Sequence, residues 1–142
     1  MADMTVVSAN VRALTSHGAV VIPGVAGATV TIGYAVYQAY SGGKWSHADG
    51  NVSAELASVM GIAVESYDGE DTVTLDNALS ICVLGPVGGF TDLVAGDVYW
   101  LSDTVGRIAD GAATFDRIVG RGLMLAGQVV LWVDAVSSDA AS

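Results

Sequence analysis

Cysteine is almost absent: Cys82 stands alone among 142 residues, so no internal disulfide framework can hold the chain together. Basic residues are nearly as scarce. Lys44, Arg12, Arg107, Arg117 and Arg121 stand against 15 acids, for a net charge of -10. Phosphate backbones and anionic headgroups are held by Lys and Arg, so nucleic acid and membrane are not expected as partners. Long apolar runs are missing too. Ala19-Val20-Val21-Ile22 stops at Pro23, and Val129 to Val133 is too short to span a bilayer as a helix. The start, Met1-Ala2-Asp3-Met4, lacks the basic and apolar regions of a secretion signal.

Chemistry-bearing constellations are equally thin. The histidines are His17 and His47. Ser46-His47-Ala48-Asp49 has the residue types of a hydrolytic triad, but neighbours on an extended turn point apart, and a triad works by convergence in space. No Gly-x-Ser-x-Gly elbow, phosphate loop or dinucleotide fingerprint occurs. One Cys and two His cannot close a zinc site within one chain. Asp68-Gly69-Glu70-Asp71 lacks the spacing of a calcium loop and reads as a hairpin turn with solvated acids. The sequence therefore predicts no catalytic, cofactor-binding or metal-binding residue, no cofactor and no enzyme.

What the chain does have is apolar content: 52% hydrophobic residues against 14% charged. With no membrane-spanning run, burial between subunits is the expectation, because homo-oligomer interfaces are more apolar than free surface. The apolar stretches are short and β-branched, as at Val20–Ile22, Thr29–Ile32, Ile81–Leu84 and Val129–Val133. They are separated by turn pairs such as Gly42-Gly43, Asp49-Gly50, Asp68-Gly69, Gly88-Gly89 and Asp110-Gly111. Many short strands with regular turns predict an all-β sandwich or barrel. Helix is expected at most twice: about two turns over 51–60, capped by Asn51 or Ser53, and one turn over 91–94.

Three regions are expected. Residues 1–16 read as an extended N-terminal arm, because Thr5, Val7, Ala9 and Val11 alternate with Val6, Ser8, Asn10 and Arg12. Residues 17–136 read as a single β domain. The small polar residues 137–142 read as a flexible tail. Within the domain the landmarks repeat. Gly33-Tyr-Ala-Val-Tyr37, Gly43-Lys44, Ala48-Asp49-Gly50 and Gly61-Ile-Ala-Val64 are followed, 61 to 63 residues on, by Gly96-Asp-Val-Tyr99, Gly106-Arg107, Ala109-Asp110-Gly111 and Gly122-Leu-Met-Leu125. The expectation is an internal duplication, with related halves at about 33–64 and 96–125. Asp49-Gly50 should match Asp110-Gly111, and Gly61 should match Gly122.

The pattern Pro23-Gly24, Gly33-x-x-Val36-Tyr37, Ala48-Asp49, Val59-Met60-Gly61-Ile62-Ala63, Gly96-Asp97-x-Tyr99, Gly106-x-Ile108 and Val119-Gly120-Arg121-Gly122 resembles bacteriophage capsid decoration (cement) proteins. It covers most of residues 17–135. The resemblance implies a compact tulip-like or barrel fold and a homotrimer on the outer surface of the phage head. It also implies the major capsid protein as partner, the virion as location, and no catalytic residue. A phage tail or head-fibre module, or a carbohydrate-binding module, is the alternative.

On the decoration reading, the arm is the candidate capsid contact through Thr5, Val7, Ala9, Val11 and Arg12, adding a strand to a sheet edge. Trp45, after Gly42-Gly43-Lys44, is the candidate exposed contact. Trp100 and Trp132 lie inside apolar strands and are expected in the core or an interface.

Overall fold

In a computed structural model, described over residues 1–135, the chain is all-β. Its strands are β1 (Arg12–Ala13), β2 (Val20–Val25), β3 (Val30–Thr31), β4 (Ala35–Gln38), β5 (Trp45–His47) and β6 (Gly61–Ser66). They continue with β7 (Thr72–Val73), β8 (Ala78–Gly88), β9 (Val98–Leu101), β10 (Ile108–Ala109), β11 (Ile118–Leu125) and β12 (Gln128–Val133). The expected tail 137–142 lies outside the described residues.

The main sheet runs β10-β9-β11-β12-β8-β6-β4-β5, all antiparallel, and curls into a half-barrel. β1 and β2 also pair with β8, and β3 pairs with β7 as a separate ribbon. β8 is the strand that joins the two halves of the sheet and also takes β1 and β2. Its first part pairs with β6 and β2, and its last residues pair with β12 and β1. Between them Gly85 has φ +103°, a left-handed value open to glycine and strained for other residues. A Cβ there would stand 2.7 Å from the Cα of Ala19. The bend lets one strand join the β12 side of the sheet to the β6 side. Ile81, Cys82 and Val87 on β8 are fully buried, and the core they join extends from Val30, Val36 and Ile62 to Leu101, Val119 and Leu131.

Neither expected helix forms. Over 51–60 there is a single capped turn, in which Ser53 accepts from the Ala57 amide at its carbonyl (3.0 Å) and from the Leu56 amide at its hydroxyl (3.2 Å). The chain then leaves, because the Met60 amide is taken by the Val36 carbonyl at 2.9 Å, on the way into β6. At 91–94 the backbone bends instead: the Thr91 amide donates to the Thr5 carbonyl, and the Val94 amide to the Tyr99 hydroxyl.

Two strand groups share one pattern. In β5-β4-β6 and in β10-β9-β11 the first strand in sequence lies in the middle, the second on one side and the third on the other. The loop hydrogen bonds recur with it. Gly33 N–H to Ala63 O (2.7 Å) matches Gly96 N–H to Gly122 O (2.8 Å). Ala63 N–H to Tyr34 O (3.0 Å) matches Gly122 N–H to Asp97 O (2.9 Å). Tyr34 N–H to Thr31 O matches Asp97 N–H to Val94 O, both at 3.2 Å. Ala39 N–H to Lys44 O (2.8 Å) matches Ser102 N–H to Arg107 O (2.9 Å). Gly33 and Gly96 (φ +97° and +89°) and Gly43 and Gly106 (φ +69° and +76°) share left-handed backbones.

This register corrects two sequence equivalences. Ala63 matches Gly122, so Gly61 corresponds to Gly120, not to Gly122. A Cβ at Gly61 would collide with the Cys82 carbonyl oxygen on β8, and one at Gly120 with the Trp132 carbonyl oxygen on β12. The Ala-Asp-Gly turns do not align either. His47 lies opposite Val36, whereas Ala109 already lies opposite Trp100, so the second turn is reached two residues early. The left-handed glycines at 43 and 106 set the hairpin register. Gly50 and Gly111 do not have positive φ.

The close approaches at Gly61 and Gly120 have a measurable consequence. Gly61→Ala and Gly120→Ala should each destabilise by about 1–3 kcal/mol, because the added methyl meets backbone that cannot rotate away. Gly111→Ala, where the nearest atom is the Cβ of the terminal Met1 at 3.0 Å, should cost under about 1 kcal/mol. Urea unfolding of the three variants checks this.

Candidate protein-docking surface

The N-terminal residues chosen from sequence do not form one stripe. A 3-10 turn at Ser8–Asn10 interrupts the alternation. Thr5, Val7, Ala9 and Arg12 are exposed, but Val11 is buried with Met4. The segment's main chain is already committed. Met4 N–H donates to Ile108 O (2.8 Å), Val7 N–H to Gly89 O (2.9 Å), and Thr5 N–H to the Asp92 carboxylate (2.9 and 3.1 Å). Arg107 donates to Met4 O at 2.7 Å, and the Ser102 hydroxyl to the Asp3 carboxylate. Residues 1–16 thus lie docked along β10 and β8, because Met4 and Val11 have apolar surface to bury there. Ala9, Val11 and Arg12 line a groove of about 450 Å3 together with Glu65, Ser66, Glu70 and Asp71.

Trp45 requires a correction. It is not an exposed loop residue: it begins β5, is 2% exposed, and its indole lies over Gly24 of β2, where a Cβ would be 2.6 Å from the ring. The glycine-rich turn before it reverses the chain and sends the ring into the core.

The other two tryptophans sit on the outward side of the sheet. Directly opposed residues of antiparallel strands share a face. Arg121 faces Trp132 on one side and Val98 on the other; Trp132 also faces Pro86; Trp100 faces Ile118; Leu123 faces Val130. Tyr99, Leu101, Leu131 and Val133, one residue out of step, belong to the core. The outward face of β9, β11 and β12 therefore carries Val98, Trp100, Ile118, Arg121, Leu123, Val130 and Trp132. Val130 at 1% exposure, and Ala109 opposite Trp100 at 0%, are already covered by the chain, so the open part of this face lies around Arg121 and the two indoles. Trp100 and Trp132 are half-buried, and Arg121 is exposed. The ion pair found among the described residues is Lys44 with Asp76 at 2.5 Å, so Arg121 makes none there. Half-exposed tryptophans around an unpaired arginine have the make-up of a protein-binding hot spot. Sequence pattern marked the strands as apolar, but only the pairing shows which side each indole takes.

One titratable site is built into the core edge. His47 Nε2 accepts from the Thr31 amide at 2.8 Å, so that nitrogen is unprotonated. The ring is tilted against Tyr34 at 4.9 Å, and the Arg107 guanidinium lies 5.7 Å from the Tyr34 ring centre. Burial pushes the His47 pKa below its ordinary value of 6.5. Among the described residues, no group of three or more His, Cys, Asp or Glu is placed to hold a metal ion.

The sign of the pH effect follows from His47. Above pH 6.5 the histidine is neutral in both folded and unfolded chains and costs nothing. As pH falls below 6.5 the unfolded chain binds a proton that the folded chain resists, so stability is lost until the folded pKa is reached. The melting temperature should therefore fall between pH 7 and pH 5.5. His47→Gln, whose amide oxygen can still accept from Thr31, should flatten that slope.

No family model, no curated protein and no solved structure matches this chain.

Proposed function

We propose that this chain is a structural virion protein that binds the outer surface of a phage capsid and stabilises its lattice. The observation that carries the reading is the outward face with Trp100, Trp132 and Arg121. An antiparallel sheet that ended its contacts at its own core would present alternating polar residues to water there. This one presents aromatic and β-branched side chains with an unpaired guanidinium, suited to another protein surface.

The exposed side chains of Thr5, Val7, Ala9 and Arg12 add contacts beside it. Because the main chain of Thr5, Val7 and Arg12 is already engaged, they act through side chains and not by adding a strand. The partners on this reading are the major capsid protein and further copies of the chain, with a trimer as the state that the resemblance implies. Multivalent docking multiplies modest contacts. An internal duplication fits as well: the shared strand order and the recurring loop bonds support two related β-modules built on one strand plan. The carbohydrate-binding alternative rests on Trp45 and nearby tyrosines, and the Trp45 ring lies in the core.

The test uses the gene neighbourhood and a binding assay: a major capsid gene beside the one for this chain supports the reading, and heads assembled from that capsid protein are the probe. Purified protein should decorate them in electron micrographs. Trp132→Ala and Arg121→Glu should each weaken binding at least ~10-fold while leaving the melting curve close to that of the parent. Heads that stay bare with the unaltered protein would remove the capsid reading.

A further inference from the structure

We propose that Asp68-Gly69 is a modification site at which the folded chain isomerises itself, turning Asp68 into isoaspartate. The proposal goes beyond the capsid reading and does not depend on it. The chemistry needs an aspartate followed by a residue without a side chain. The main-chain nitrogen of the second residue attacks Cγ of the first, and a Cβ on the second residue would hinder that approach. Three such steps occur, Asp49-Gly50, Asp68-Gly69 and Asp110-Gly111, and no Asn-Gly step competes with them. By sequence alone they rank as equals.

The fold separates them. The Asp49 amide donates to Leu56 O at 2.8 Å, and the Asp49 carboxylate accepts from the Asn51 amide at 2.9 Å. The Gly50 amide, which would have to attack, donates to Ser102 O at 3.1 Å, and the Gly50 carbonyl accepts from the Phe115 amide at 2.8 Å. Gly50 is buried, and a Cβ there would stand 2.7 Å from that of Ala113, so the backbone has no space to lengthen. Asp110 is clamped by the N-terminal segment. Its carboxylate accepts from the Ala2 amide at 2.7 Å, and its own amide donates to Ala2 O at 3.1 Å.

Asp68 and Gly69 lie in the turn between β6 and β7, and both are exposed. The Gly69 amide reaches Ser66 O only at 3.4 Å, beyond the usual range of a main-chain hydrogen bond. The Asp68 carboxylate accepts from the Glu70 amide at 3.2 Å, within the same turn, so one local opening frees both reacting groups. Apart from its chain neighbours, no heavy atom lies within 4 Å of where a Gly69 Cβ would stand. An exposed turn held by weak bonds opens at little cost, whereas Asp49 and Asp110 are freed only with the segments that hold them.

The step balances without any reagent but water. The Gly69 nitrogen bonds to Asp68 Cγ, and its proton leaves with the carboxyl hydroxyl as water, giving a five-membered succinimide. Water then adds back at one of the two ring carbonyls. Opening at Cγ restores aspartate. Opening at the Asp68 main-chain carbonyl leaves isoaspartate, with the chain running through the former side chain. The charge is kept, but the main chain gains a methylene inside a turn that Ser66 closes by donating its hydroxyl to Glu70 O at 2.7 Å. Gly69 and Glu70 line the same groove as Arg12, so the change alters that rim.

The test ages the folded protein in warm neutral buffer. Isoaspartate is then read by peptide mapping and by methyl transfer from S-adenosylmethionine with an isoaspartyl methyltransferase. Asp68 should carry at least ~10-fold more isoaspartate than Asp49 or Asp110. In urea the sites should react within ~3-fold of one another, because only chain neighbours then distinguish them. Gly69→Ala, shown by its melting curve to be folded, should lower isoaspartate at Asp68 without raising it at Asp49 or Asp110. Aged protein without isoaspartate at Asp68 overturns the proposal. So does folded protein in which Asp49 or Asp110 reacts as fast as Asp68.

Discussion

The bend in β8 at Gly85 is the constraint that the rest of the structure depends on. This eleven-residue strand pairs with β6 and β2 along its first part and with β12 and β1 along its last residues, and it turns between them. The left-handed glycine turns it, and the close backbone of Ala19 leaves no space for a side chain. On one side of the bend β8 completes β6 and β2; on the other it completes β12 and β1. Ile81 and Cys82 before the bend and Val87 after it are all fully buried, so both parts enter one core. The single thiol is part of that core, and burial raises its pKa, which holds it in the inert protonated form.

The N-terminal segment is the second tie. It crosses from Ile108 on β10 past Gly89 to Gly88 on β8, bonding main chain at each step. Arg107, at the turn end of β10, holds the Met4 carbonyl and lies over the Tyr34 ring, whose other neighbour is His47 of β5. One guanidinium thus joins the terminus, the second strand group and the first. The Gly106 amide adds to this by donating to the Ala48 carbonyl, and the Ala35 amide donates back to Gly106. The pH sensitivity of His47 therefore acts at a junction between the two strand groups.

The surface divides by charge. Acids are spread through the loops, including Asp68, Glu70, Asp71, Asp92, Asp97 and Asp103, all exposed. The outward face of β9, β11 and β12 is apolar around one guanidinium. For a chain with so few bases, it is a place where contact with another protein meets little repulsion.

Local pattern in the sequence was enough for the class and most of the strands. Valine-rich runs divided by glycine turns leave little alternative to β structure, and a strand's neighbours matter less to that choice than its own side chains. The left-handed backbones at Gly33, Gly43, Gly96 and Gly106 could be read from sequence because such a conformation is a local property. The register of the third strand depends on its neighbour: Gly61 and Gly120 match in role because each lies beneath a carbonyl of the strand paired to it, Cys82 of β8 and Trp132 of β12. Burial is not local either. Trp45 follows a loop-like turn and yet points into the core, while Trp100 and Trp132 sit in apolar strands and face outward. Alternation along a strand says that two faces differ, but only packing against the remaining strands decides which of them becomes the inside.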